Sequence, residues 1–364
     1  MVPPGVVFMD ALSLTKTEWE ARMQELGQPT YRAGQVLDWL FRRRVRDWTD
    51  MSNLPSSVRQ NLADDFPTRR LEKVRETGSK DTTRKFLFRL ADGQLIESVL
   101  IPASPALYGE ASDRRTICIS SQVGCAYGCK FCASGLDGWK RNLTAAEIVD
   151  QFLQVEAESG EKINNIVFMG MGEPMANYDN LLRAISILNA PWGVGIGARH
   201  MTVSTSGLAP RIRDLAAQPL QVRLAISFHG ATDEVRGRIM PVNKKYPIEE
   251  LLSACEEYVG IKKQRLTFEY ILIRDINDSP EQARLLAQQA RRVNAKVNLI
   301  PYNTVEGLEW DRPDEPRQEQ FLGILRNAGA EATLRREKGH DIAAACGQLR
   351  LQVEKSFAQG SVLN

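Results

Sequence analysis

Apolar residues recur along this chain with two periods. Beyond residue 115, short β-branched and aliphatic runs alternate with segments of helical spacing. The runs 117–121, 165–169, 201–205, 223–228, 265–272, 296–301 and 332–335 predict strands. Segments 144–159, 179–190, 210–217, 248–259, 279–293 and 315–327 predict the intervening helices. Thr144 and Glu147 make a capping box at the head of the first. Such βα alternation predicts a parallel sheet. Six core units fit an α/β fold of the incomplete (β/α)6 barrel type, open on one side. Chemistry in such barrels sits at the C-terminal ends of the strands.

The first 95 residues follow another pattern. Helical spacing covers 14–26 and 33–44, split by Gly27-Gln28-Pro29, and a third helix is predicted over 55–65. Residues 85–90 and 95–101 alternate as a hairpin around Ala91-Asp92-Gly93. The expected organisation is a small N-terminal helical domain with a hairpin linker (1–95), a barrel domain (96–350) and a short C-terminal extension (351–364).

Charge changes this picture only locally. The formal net charge is +2, so no global field announces a nucleic-acid partner. Yet Arg42, Arg43, Arg44 and Arg46 cluster near Trp39, Phe41 and Trp48. Arg69, Arg70, Lys73, Arg75, Lys80, Arg84, Lys85 and Arg89 follow. These runs are either an RNA-phosphate surface or solvated helix ends. No apolar run approaches the ~18 residues of a spanning helix. The start of the chain lacks a basic segment followed by a long apolar core, which argues against a secretory signal. The expectation is a cytoplasmic protein without membrane contact.

The six cysteines do not look like a secreted disulfide framework, because the chain is long and three of them are clustered. Cys125, Cys129 and Cys132 form a C-x₃-C-x₂-C run just after the first barrel strand. Three such thiolates can hold three irons of a [4Fe–4S] cluster and leave the remaining iron open. A zinc site with a distant fourth ligand and a chance group of core thiols are the alternatives. A zinc knuckle usually pairs two C-x₂-C units, and there is no second unit.

Other polar groups fall at strand ends. Gly170-Met171-Gly172-Glu173-Pro174 follows the second strand, and its glycines permit close backbone approach. Ser204-Thr205-Ser206-Gly207 ends the third, Ser227-Phe228-His229-Gly230 the fourth, and Asn303 follows the sixth. Taken singly, these are ordinary turn formers or a satisfied histidine. Arg236 and the stretch from Met240 to Tyr246 make a basic loop, suited to an RNA backbone or to solvent. Cys346 sits among small residues near the C-terminus, and Cys118 lies on the strand entering the cysteine run. Either alone reads as packing. Cys255, in a predicted helix, suggests no role.

Together, residues 118–135, 170–174, 204–207, 227–229, 242–246, 298–303 and 341–349, with 28–35 and 51–54, resemble the RlmN/Cfr family of radical SAM RNA methyltransferases. The resemblance implies a [4Fe–4S] cluster on Cys125, Cys129 and Cys132. It implies S-adenosylmethionine (SAM), two molecules per turnover, against Gly172, Glu173, Ser204, Ser227, Phe228, His229 and Asn303. One SAM would methylate Cys346; a second would yield the radical that activates that methyl group for addition to adenine. Glu97 would remove the ring proton. Cys118 would then resolve the adduct through a transient disulfide with Cys346. The implied substrates are 23S rRNA, at C2 of an adenosine, and tRNA, at the adenosine 3′ of the anticodon. C8 methylation of rRNA is the alternative within the family, and the full N-terminal module favours C2. A different class of alternative is a metal-stabilised RNA-binding protein without turnover. A cellular electron donor such as flavodoxin is implied, and the expected state is a monomer.

Overall fold

The computed structural model describes residues 10–66, 70–103, 112–136, 138–303, 308–335 and 342. The N-terminal part is helical. A capping box between Thr15 and Glu18 opens the helix Lys16–Glu25. The expected second helix runs over Tyr31–Leu37 and widens to a π turn over Asp38–Arg42. The third helix is Ser56–Asp65. Trp19, Trp48 and Phe66 form the centre of this module, with Trp19 and Phe66 ring centroids 5.2 Å apart. The Trp48 indole donates to the Phe66 carbonyl at 2.8 Å.

Three antiparallel strands follow, β1 (Glu72–Gly78), β2 (Arg84–Arg89) and β3 (Leu95–Pro102). The hairpin expected over 85–101 is β2–β3; β1 was not expected. β3 pairs antiparallel with β4 (Arg115–Cys118). A separate two-stranded ribbon, β5 (Gln122–Gly124) and β6 (Trp139–Asn142), carries the cysteine run. Then come β7 (Asn165–Phe168), β8 (Met201–Thr205), β9 (Arg223–Ser227), β10 (Leu266–Leu272), β11 (Ala295–Pro301) and β12 (Ala332–Leu334).

The main sheet has ten strands in the order β1-β2-β3-β4-β7-β8-β9-β10-β11-β12. From β4 to β12 every pairing is parallel, so all seven expected barrel strands lie side by side in chain order. The six expected helices are present as Ala145–Ser159, Tyr178–Asn189, Ala209–Ala217, Ile248–Lys262, Pro280–Arg292 and Glu315–Asn327. A further short helix, Asp233–Ile239, interrupts the fourth unit.

Strand register decides what faces the interior. Side chains alternate between faces, and paired residues share a face. Glu97 opposes Leu87, Val99 opposes Cys118, and Cys118 opposes Val167. The same face continues through Thr202 and Ser204 of β8 and Ala225 and Ser227 of β9. It reaches Glu269 of β10, Asn298 of β11 and Thr333 of β12. The opposite face carries Ser98, whose hydroxyl meets Gln151 of the helix Ala145–Ser159 at 2.9 Å. One face of one sheet therefore holds Glu97, Cys118, Ser204 and Ser227.

Much of the basic N-terminal charge is used internally. Arg70 pairs with buried Asp150 at 3.0 Å, Arg44 with Glu156, and Lys73 with Glu158 at 2.5 Å. Arg84 pairs with Glu76 at 2.6 Å and Arg89 with Glu72 at 3.0 Å. Arg43 stacks on Trp39, 4.1 Å from the ring centroid. Three residues of the two basic runs fit neither reading, a phosphate surface or solvated ends: Arg44, Arg70 and Lys73 fasten the N-terminal part to the helix Ala145–Ser159. Among the described residues, no helix is long and apolar enough to cross a membrane.

Asp150 also accepts from the Leu71 amide at 2.8 Å and from Gln154 at 3.1 Å. Asp150→Ala removes all three acceptor contacts and leaves Arg70 without its pair. The expected loss is about 3 kcal/mol of unfolding free energy by urea titration. A loss under about 1 kcal/mol would show that the fastening is solvated.

Candidate active site

The cysteine run is shaped by its ribbon. The Cys125 amide donates to the Gly138 carbonyl at 3.1 Å, and the Cys132 amide to the Cys129 carbonyl at 3.1 Å. Gly124 has φ +72, and a Cβ there would overlap the Gly138 carbonyl, so only glycine closes this ribbon. Asn177 braces the base of the loop, donating to the carbonyls of Ser121 at 2.8 Å and Leu143 at 2.7 Å. Cys125, Cys129 and Cys132 are half-buried.

All three thiols line one cavity at the C-terminal ends of the barrel strands. Gly172 and Glu173 after β7, Ser204 and Ser206 around β8, and Ser227 and His229 around β9 line it too. Glu269, Ile271, Ile300 and Arg335 complete its far wall. A wall drawn from the ends of β7 through β12 means that the sheet curls around this space. The sheet thus forms a partial barrel.

Gly172 has φ +100, and a Cβ would come within 2.5 Å of the Gln122 side chain. The Glu173 amide donates to Gln122 Oε1 at 2.9 Å. Glu173 is buried, and its carboxylate accepts from the amides of Met175 at 3.0 Å and Ser206 at 2.6 Å. It therefore joins the β7 and β8 ends as well as facing the cavity. Burial raises its pKa, against these hydrogen bonds. His229 is in the left-handed region at φ 56, with Nδ1 accepting from the Ile271 amide at 3.1 Å. Burial first, and the Arg236 charge second, push its pKa down to about 3, so the ring is neutral. Phe131 meets it edge-on at 4.7 Å.

Several expected residues lie elsewhere. The Phe228 ring stacks on Phe268 at 4.5 Å within the core, which leaves its backbone at the strand end. Asn303 is buried and accepts from Arg312 at 3.2 Å; it is not among the described lining residues. Glu97 is buried against Lys85, Nζ to Oε1 3.2 Å, on the interior face that it shares with Cys118. Cys118 is buried. Its expected partner Cys346 lies outside the described residues, and no disulfide occurs among those described. Arg236, expected in a basic surface loop, is instead fully buried. Glu269 was missed, although a single acid in Leu-Thr-Phe-Glu-Tyr-Ile-Leu was a visible signal. Burial raises its pKa, and Asn298 donates to it at 2.7 Å.

The three thiols suit an iron–sulfur cluster as a donor set. Burial pushes the Cys125 thiol up to about 12, and burial together with charge at Cys132 and Cys125 raises Cys129. Each would ionise readily only against a bound cation. Among the described residues no three such side chains converge on a single ion. A cluster asks for something different, one thiolate for each of three irons.

The fold and this cavity define a radical SAM barrel, and comparison with known proteins agrees. Residues 119–287 match the Radical SAM superfamily, and residues 9–66 match the ribosomal RNA large subunit methyltransferase N-terminal domain. A probable dual-specificity RNA methyltransferase RlmN of Akkermansia muciniphila is 56% identical over 94% of this chain and 95% of its own length. A second, RlmN 3 of Opitutus terrae, is 54% identical over 92% of each. The crystal structure of a radical SAM methyltransferase from Sphaerobacter thermophilus superposes with TM-score 0.88 at 45% identity, over 94% of this chain and 99% of that one. The chain belongs to the RlmN family of radical SAM RNA methyltransferases. Membership implies SAM and a [4Fe–4S] cluster as cofactors.

The neutral His229 ring has a consequence for stability. Its folded pKa of about 3 lies below the ordinary histidine value of 6.5, so below pH 6.5 the unfolded chain binds the extra proton. Stability is lost as pH falls through that window. His229→Asn keeps an acceptor for Ile271 and tolerates the left-handed backbone. Between about pH 6 and 5, wild-type unfolding free energy should fall faster than that of the variant, by up to about 1.4 kcal/mol per pH unit. Parallel urea titrations check this, and equal slopes would show that the ring protonates in place.

Proposed function

We propose that this protein methylates C2 of an adenosine in 23S rRNA, and of the adenosine 3′ of the anticodon in some tRNAs. The carrying observation is the single cavity in which three cluster-spaced thiols meet the polar ends of the barrel strands. Adenine C2 is a poor nucleophile, so transfer of a methyl cation is unfavourable there. When bound, the cluster and SAM supply the one-electron chemistry and the methyl carbon.

The chain's own residues do the rest. Cys125, Cys129 and Cys132 hold the cluster. Gly172 and Glu173 offer backbone and carboxylate acceptors to the SAM amino group. Ser204, Ser227, the Phe228 backbone and His229 surround its sugar and carboxylate, and the family resemblance assigns its adenine edge to Asn303, which stands outside the described lining. Cys346 carries the methyl carbon to the base. Glu97, fixed by Lys85, takes the ring proton. Cys118, as thiolate, then attacks the Cys346 sulfur: an S–S bond forms, the S–C bond to the adduct breaks, and its electron pair stays on the methylene carbon, which takes up a proton to become the methyl group of the product. Such exchange needs a thiolate in line with the sulfur that it attacks. Cys118 on the interior face with Glu97 supports these roles.

Structured RNA is recognised through shape, phosphates and unstacked bases. The target adenine must leave its stack to reach Cys346. The N-terminal part serves as the RNA-binding accessory domain, with exposed Arg42 and Arg43 as phosphate contacts. The names of the relatives and the match over 9–66 favour C2 over C8. A flavodoxin-like donor, a monomeric state and a cytoplasmic location complete the proposal.

Two variants test the cysteine roles. Cys118→Ala should accumulate an RNA–protein adduct through Cys346, seen on denaturing gels and by peptide mass spectrometry. Cys346→Ala should give neither adduct nor methylated RNA. Free RNA as the sole species with Cys118→Ala would remove that residue from the resolving step.

A further inference from the structure

The guanidinium of Arg236 is fully buried behind the ends of β8 and β9 that line the cavity. Its Nε donates to the Phe228 carbonyl at 3.1 Å, and its Nη1 to Asn243 Oδ1 at 2.8 Å. Nη2 donates to the Ser206 carbonyl at 2.6 Å and the Ser227 carbonyl at 3.5 Å. One side chain thus gathers the ends of β8 and β9. The glycines beside it leave the room: a Cβ on Gly230 would lie 2.6 Å from the Arg236 amide, and one on Gly207 2.9 Å from Nη2.

All four acceptors are neutral. Among the described residues Arg236 has no ion-pair partner. Asp233 is near enough to be felt, but its carboxylate oxygen is taken by Asn243 at 2.9 Å and the Ile248 amide at 2.9 Å. A buried cation held only by neutral dipoles is costly, and buried charges are ordinarily paired. A neutral amide could tie carbonyls together without that cost. Arg236 is not among the described lining residues, but Ser206 and Ser227, whose carbonyls it holds, line the cavity. The loop that carries Cys129 is tied to the Arg236 helix: the Lys130 amide donates to the Ile239 carbonyl at 3.0 Å.

We infer that Arg236 is the fixed cation of the active site, a positioning residue that also balances the negative charge of the thiolate-ligated cluster and the SAM carboxylate. It is not the RNA contact that its place in a basic stretch suggests, because burial closes it to a macromolecule. Its hydrogen bonds hold the strand ends that face SAM, and its charge stabilises the reduced, more negative cluster. This inference rests on the cluster reading of Cys125, Cys129 and Cys132.

The test is an EPR-monitored redox titration of anaerobically reconstituted, full-length protein, with SAM affinity measured by equilibrium dialysis. Iron and sulfide analysis of wild type tests the cluster reading separately, at about four irons per chain. Arg236→Gln keeps donors and removes the charge; Arg236→Lys keeps the charge and loses the fork. The glutamine variant should move the cluster midpoint to lower potential and weaken SAM binding about tenfold. The lysine variant should hold the midpoint near wild type while SAM binding still weakens. Asp233→Asn leaves Arg236 in place and removes a nearby negative charge, so it should raise the midpoint. It serves as the deciding variant if Arg236→Gln does not fold. A loaded Arg236→Gln with an unchanged midpoint, or an unchanged midpoint in Asp233→Asn where it decides, overturns the assignment and leaves the cluster reading standing.

Discussion

Alternation along a parallel sheet is the constraint on which this structure depends. Paired residues share a face, so a register set by apolar packing on the helix side also fixes the order of the interior. Glu97, Cys118, Ser204, Ser227, Glu269 and Asn298 follow one another across seven strands for that reason. A one-residue slip at any pairing would exchange interior and exterior for that strand. β3 and β4 are antiparallel neighbours, which brings Glu97 and Cys118 from distant chain positions to one surface.

Glycines then bring the strand-end loops close to one another. Gly170 has no room for a Cβ, which would lie 2.7 Å from Ser120 Oγ, and Gly172 closes on Gln122 in the same way. Glu173 joins the β7 and β8 ends, and Arg236 joins the β8 and β9 ends. An acid and a base, both buried, thus knit together the rim on which a cofactor would rest. Much of the rim's polarity serves the protein's own backbone.

The seven barrel strands were legible because their β-branched runs are bounded by turn residues and separated by amphipathic helices. β1 was not, because Glu-Lys-Val-Arg-Glu-Thr-Gly reads as solvated chain; it pairs only as the outermost strand. The cysteine run, the glycine turn and the strand-end serines and histidine were legible by spacing, and the cavity gathers them. Burial of charge was not legible. Arg44, Arg70 and Lys73 look like a surface stripe until Glu156, Asp150 and Glu158 are seen opposite them. Arg236 looks like a loop cation until the strand ends close over it. Sequence order shows which charges exist, while their partners come from residues scores of positions away.

The most direct measurement is mass spectrometry of nucleosides from a 23S rRNA fragment incubated with reconstituted protein, SAM and reductant. The account predicts 2-methyladenosine, absent when SAM is omitted. 8-Methyladenosine, or unmodified adenosine from protein with a full cluster, would contradict it.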